Sequence, residues 1–278
     1  MKKVVINVVF LMGLVYAEPR VIYENIYANQ DRKNPDDATR SGFNSSIDVG
    51  YTTYLIDVSS IELNRAIDYN VVEATLGVSY AYGDWIFGID TKILMDEQKS
   101  NLNASSRILN SNANISRNTF SLFSNYQISK ELSMNMVYRY ASLQSNNRYI
   151  DFKTYDTAFN YDTNGLASSI VYTPSFFEGL FLSTGAVYSR ANVEIYEKIN
   201  TISDDVFIDD SASSLGVKLG IGYAYTVNDN LFLKLSSDWY KFDFGKLNVS
   251  SSSSNKIIEQ ASLGEETYSI RFGVLYQF

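Results

Sequence analysis

The chain has 278 residues, with 23 Lys+Arg against 31 Asp+Glu, a formal charge of −8, and neither cysteine nor histidine. The acidic balance excludes nucleic acid as an expected partner, because phosphate recognition calls for a basic face. Without cysteine there is no disulfide or thiolate chemistry, and without histidine no imidazole to move protons near neutral pH.

Read in chain order, residues 1–17 carry two lysines, an apolar run of about a dozen residues and a small residue at Ala17, the layout of a cleaved secretory signal peptide. Residues 18–42 are polar apart from "VIYENIYA" and are expected to form an N-terminal periplasmic or plug segment. From residue 43 to 278 the chain repeats period-two segments, in which side chains fall alternately on opposite faces of a strand. They begin with "SSIDVGYTTYL", "EATLGVSYAY" and "DWIFGIDTKI" and continue through "NTFSLFSNYQI", "ELSMNMVYRYA", "LASSIVYT" and "GLFLSTGAVYS". The clearest is "SLGVKLGIGYAYTV", in which Leu215, Val217, Leu219, Ile221, Tyr223 and Tyr225 alternate with glycine, lysine and alanine. "NLFLKLSSDW" and the terminal "YSIRFGVLYQF" complete the set.

The connections alternate as well. Gly83–Asp84, 129–131, 175–179 and 228–230 are tight turns, whereas 56–70, 97–116, 145–164, 195–211 and 245–266 are expected to be long polar loops. A greasy face on every strand, with short links at one end and long links at the other, predicts an all-β fold. We expect a transmembrane antiparallel up-and-down barrel of about ten strands, within a range of roughly 8–12. Tyr82, Trp85, Tyr126, Phe176, Phe177, Tyr225, Tyr276 and Phe278 lie near the tight-turn end, where an interfacial aromatic girdle belongs.

With "YSIRFGVLYQF" as its final strand, the chain resembles the outer-membrane β-barrel proteins of Gram-negative bacteria. The resemblance implies an assembly signal at Tyr276 and Phe278, read by the barrel-assembly machinery. It also implies a bacterial outer-membrane location and contact with outer-membrane lipid and lipopolysaccharide. In size, strand number and loop order the chain is similar to omptins, the ten-stranded surface proteases. That likeness places Asp96 and Glu97 of "LMDEQ" near the family's acid pair, and Glu194 and Glu197 of "NVEIYEKIN" where an Asp and a His are needed. No histidine is present, so the water-activating pair of that family has no counterpart and catalysis is not expected.

The lumen-facing charged set by this register is Asp48, Glu73, Asp90, Lys92, Arg139, Lys218, Lys234, Asp238 and Arg271. Opposite charges of nearly equal number suit either a lumen plugged by mutual pairing or a slim polar pore. Glycines 216, 220, 222 and 273 either leave room for water along one wall or relieve crowding. The Ser/Asn-rich "KSNLNASSRILNSNANIS" and "NVSSSSSNK" are loop sequences able to mediate binding or adhesion. The acid pairs Asp204–Asp205, Asp209–Asp210 and Glu265–Glu266 lack calcium-loop spacing and read as solvated surface, so no metal or other cofactor is expected.

Overall fold

The computed structural model describes residues 41–59, 64–95, 99–103, 113–151, 153–199, 206–228, 230–251 and 256–278. The predicted signal peptide, most of the 18–42 segment, Asp96, Glu97 and Asp204–Asp205 lie outside them. Eleven strands are present: β1 (Ser41–Ser59), β2 (Asn64–Tyr82), β3 (Trp85–Leu94), β4 (Lys99–Asn103), β5 (Ala113–Gln127) and β6 (Leu132–Asp151). They continue as β7 (Lys153–Tyr172), β8 (Leu180–Ile199), β9 (Val206–Asn228), β10 (Leu231–Ser251) and β11 (Lys256–Gln277). Each strand pairs antiparallel with its neighbours, and β11 pairs with β1 to close the sheet. The short β4 pairs with β2 at Ala66–Asp68 and with β5 at Ala113–Asn114, above β3, so the two share one place in the wall. The fold is therefore a closed ten-stranded barrel.

Tight turns gather at one end. Gly83 has a φ of 58°, in the left-handed region that glycine adopts most readily, and Gly179, at 86°, also sits where a Cβ would strike the Ala224 carbonyl. Asn228 accepts the backbone N–H groups of Asn230 and Leu231 at 3.0 and 2.9 Å, an Asx-type turn. The terminal Phe278 N–H donates to the Phe43 carbonyl at 3.0 Å, so the ladder is bonded to its last residue.

The links expected to be long loops are mostly strand. β1 runs to Ser59 and β2 starts at Asn64; the last parts of β6, β8 and β10 and the first parts of β7, β9 and β11 likewise lie within the predicted links. The reason is a reversal of the binary pattern partway up the long strands. In β1, Phe43, Ile47, Val49 and Tyr51 face outward while Asn44, Ser46, Asp48 and Thr52 face in. Above that level Tyr54, Ile56 and Val58 face in, and Thr53 and Asp57 face out. The same exchange occurs in β6 between Tyr140 and Ala141, in β8 between Tyr188 and Ala191, and in β11 between Leu263 and Tyr268. In β10 a bulge at Phe244/Lys246 shifts the inward set from even to odd positions.

The outward apolar stretch spans about ten residues per strand, the length that crosses a bilayer when tilted. Its near edge carries the expected girdle, in which Trp85 packs on Tyr126 at 4.7 Å between ring centroids. A second girdle, not foreseen from sequence, marks the far edge at Tyr51, Tyr140, Tyr188, Trp239 and Tyr268. There polar tips meet the hydrophilic wall above: Tyr188 Oη donates to Ser213 Oγ at 3.1 Å and Trp239 Nε1 to Glu266 Oε1 at 2.7 Å. Strands of 19–23 residues rise well beyond the apolar stretch, so the upper half of the barrel stands clear of it.

Two outward positions on β6 test this boundary. Met136→Arg is expected to lower stability by about 2–4 kcal/mol in lipid vesicles, and Gln144→Arg to leave it within about 0.5 kcal/mol, measured by urea unfolding of the refolded protein.

Candidate functional site in the barrel lumen

The inward side chains form three tiers. At the turn end Ala81, Ile86, Phe123, Val137, Val171, Phe181, Phe232 and Leu275 make an apolar layer drawn from eight strands. In the upper half Tyr54, Ile56, Val58, Tyr69, Val71, Ile115, Leu143, Phe159, Tyr161, Val193, Ile195, Ile208, Leu247, Val249 and Leu263 make a larger one, buried to 3% exposure or less. Water would reach the lining of a continuous channel, so side chains this inaccessible close the bore at both levels. Between them lies the charged tier.

All nine predicted lumen charges face this interior. Asp48, Glu73, Lys92, Lys218, Lys234, Asp238 and Arg271 are buried, and Asp90 and Arg139 are half-buried. Lys234 Nζ meets Asp48 Oδ1 at 3.0 Å, and Lys92 Nζ lies 3.5 Å from Glu73 Oε2. Glu73 also accepts from Thr52 Oγ1 and Tyr54 Oη, both at 2.7 Å. Arg139 donates to Tyr240 Oη at 3.2 Å, and the Tyr240 ring lies 5.6 Å beneath Lys218 Nζ.

Two further charges belong to the site and were missed. Arg117 and Glu265, assigned by sequence to no strand, are buried and paired at 3.1 Å. Arg117 also donates to Tyr69 Oη at 3.1 Å and stacks over Tyr54, and Tyr161 Oη donates to Glu265 Oε2 at 2.5 Å. This network crosses the barrel, tying β2, β5, β7 and β11 together from inside. Glu265 is thus no part of a solvated acid pair, because alternation sends it inward and its neighbour Glu266 outward. The signal lay in "LGEETY", where Leu263, Glu265 and Thr267 share one face. Asp210, from another predicted pair, accepts the backbone N–H groups of Ser211 and Asn248, both at 2.8 Å, on the wall of β9.

The glycines have a specific place in this arrangement. Gly273 is the cross-strand neighbour of both Asp48 and Lys234, and a Cβ there would collide with the Asp48 carboxylate. The ion pair passes over the bare backbone between two strands. Gly50 sits the same way between Glu73 and Arg271, whose Cγ fills the space above it. Gly77 lies beside Asp90, Gly165 beside Arg139, Gly185 beside Lys218 and Gly220 beside Asp238. Gly216 and Gly222 are covered by the rings of Phe242 and Phe181. At Gly50, Gly216, Gly222 and Gly273 the space left by the missing Cβ is occupied by neighbouring side chains.

For the omptin-like positions, Glu194 lies on the outer wall of β8, where Asn160 Nδ2 donates to it at 3.2 Å, and Glu197 lies further along the same strand. Among the described residues no cluster of three metal-ligating side chains occurs.

Breaking a buried pair leaves an uncompensated charge. Lys234→Met is expected to cost about 3–5 kcal/mol, and adding Asp48→Asn to restore more than half of it. Urea unfolding of the two variants checks this, and equal midpoints would show that the pair is not coupled.

No family model matches the chain, and no curated protein matches it in sequence. Solved structures do match in fold. The outer membrane protease OmpT of Escherichia coli is 10% identical, with a TM-score of 0.56 over 85% of this chain and 97% of that one. The translocator domain of the autotransporter NalP of Neisseria meningitidis is 12% identical, with a TM-score of 0.53 over 95% and 99%. Identity this low carries the architecture alone. The chain has the fold of outer-membrane β-barrels.

Proposed function

We propose that this protein is a non-conducting outer-membrane barrel that holds a tall, rigid wall and its connecting segments above the lipid surface, as a structural and surface-binding protein. The observation that supports this most directly is the sealing of the lumen by two apolar layers. A pore needs a water-filled path, and side chains exposed by 3% or less line none. The charged tier then serves as mutual pairing within a filled bore rather than as a selectivity filter.

The outer wall supports the surface role. Above the apolar belt the outward residues include Asn, Ser, Gln and acids, among them Gln144, Asn160, Asp209 and Gln260, a hydrated face with little for lipid to solvate. A packed apolar interior in that half gives the projecting strands the stability that a lipid-facing sheet draws from the membrane. Loop-mediated binding fits the Ser/Asn-rich segments that these strands carry. In this reading export is directed by the N-terminal segment. The terminal strand is recognised by the barrel-assembly machinery through Tyr276 and Phe278, and the belt is solvated by outer-membrane lipid and lipopolysaccharide.

The test is single-channel recording of refolded protein in a planar bilayer, with insertion verified by protease protection. The expected result is a silent bilayer. Discrete, reproducible conductance steps would overturn the proposal and restore the narrow pore, whose ion selectivity should then shift on charge reversal at Lys218 or Arg271.

A further inference from the structure

The ladders that join β6 to β7, β7 to β8 and β8 to β9 run without a register shift. The ladder between β9 and β10 does not. Its registered pairing stops at Val217–Lys241 and resumes at Ile208–Val249, while each strand stays paired to its other neighbour, β8 or β11. The break begins just above Trp239 of the far aromatic girdle, so it faces water rather than hydrocarbon.

Two side chains of β9 stand in for the interrupted ladder. Ser214 Oγ donates to the Asp243 carbonyl at 2.9 Å, and Asp210 Oδ2 accepts the Asn248 N–H at 2.8 Å. Between these pins Gly245 is exposed, and a Cβ built on it would meet nothing nearer than the Ala212 Cβ, at 4.0 Å. Single bonds of this kind, at an exposed gap, open at lower cost than a continuous ladder. On the inner side Phe242 lies across the same break, its ring over Gly216 and stacked between Tyr240 and Phe244 at 6.2 and 5.9 Å. Tyr240 and Phe242 line an internal cavity together with Val187 and Ser189 of β8, the strand on the far side of β9. Phe242 therefore stands between that cavity and the break.

We infer that the β9–β10 break is a side entrance to the lumen. Release of the two pins and a swing of the Phe242 ring let water and small polar solutes pass between the cavity and the outside through the wall. The bore itself stays closed along its axis, and the inference rests on that closure.

The chain has no cysteine, so introduced thiols report access without background. In barrels held in lipid vesicles, Ser189→Cys, buried on the cavity wall, should react with a small charged methanethiosulfonate. Adding Asp210→Ala or Ser214→Ala should raise that rate about fivefold each, the effect of losing one hydrogen bond. Val187→Cys serves the same purpose if the first variant does not fold. Ser133→Cys, equally buried but at the turn end, should not respond to either change. Ala212→Cys with Gly245→Cys places two Cβ atoms within the roughly 3.5–4.5 Å span of a disulfide. Oxidation of that pair should slow hydrogen exchange at 242–248 by about tenfold relative to its reduced form. A Ser189→Cys rate indifferent to the pins, an equal rise at Ser133→Cys, or exchange unchanged by the disulfide would each overturn the inference. With a silent bilayer those results remove only the side entrance, whereas conductance steps would remove the closed bore itself.

Discussion

Lipid offers no hydrogen bond to a peptide group, so a sheet that crosses it must leave no edge. In this chain that requirement is met by the pairing of β11 with β1, and the rest of the architecture follows from it. Closing ten strand positions fixes a narrow bore. A narrow bore gives each inward side chain a neighbour across the lumen, and those neighbours must be mutually compatible in charge and volume. The chain meets the demand in tiers, with apolar contacts at both ends and ion pairs in the middle. Long charged side chains need space to reach their partners, which explains why glycine sits beside them at Gly50 and Gly273.

Much of this was legible in the sequence. Period-two alternation in segments such as 215–225 and 268–278 identified the strands, and the greasy face they share identified lipid as its solvent. The same register placed nine charges in the lumen. What sequence reading lost was the upper half of the barrel, for a physical reason. A reader following one apolar face sees it end near Tyr51 or Leu215 and infers a loop. In fact the apolar residues change sides there, as the solvent outside changes from hydrocarbon to water and the interior from ion pairs to a packed core. Glu265 fell in one of those stretches and Arg117 at the edge of another, and both were lost with them. The second aromatic girdle was hidden for the same cause, since Trp239 and Tyr268 sit at the point of exchange.

The charged tier could be listed from sequence, but its closure could not. Whether opposite charges enclose water or one another depends on how far side chains reach across the bore, and that depends on which strand neighbours which. The contact of Lys234 with Asp48 over Gly273 joins positions far apart in the chain, through a strand belonging to neither. Likewise the Arg117–Glu265–Tyr161 network draws on β5, β11 and β7. Such links appear only once the circle of strands is complete.

The exchange of faces partway up the long strands also sets where the molecule sits. Below it the wall is soluble only in hydrocarbon, and above it only in water, so sliding the barrel along its axis would put Asn and Asp into lipid or Ile and Phe into solvent. The long strands carry the same mark at a corresponding level, and aromatic rings lie on it. The membrane surface is in effect inscribed on the barrel as a waterline, which sets its height and tilt.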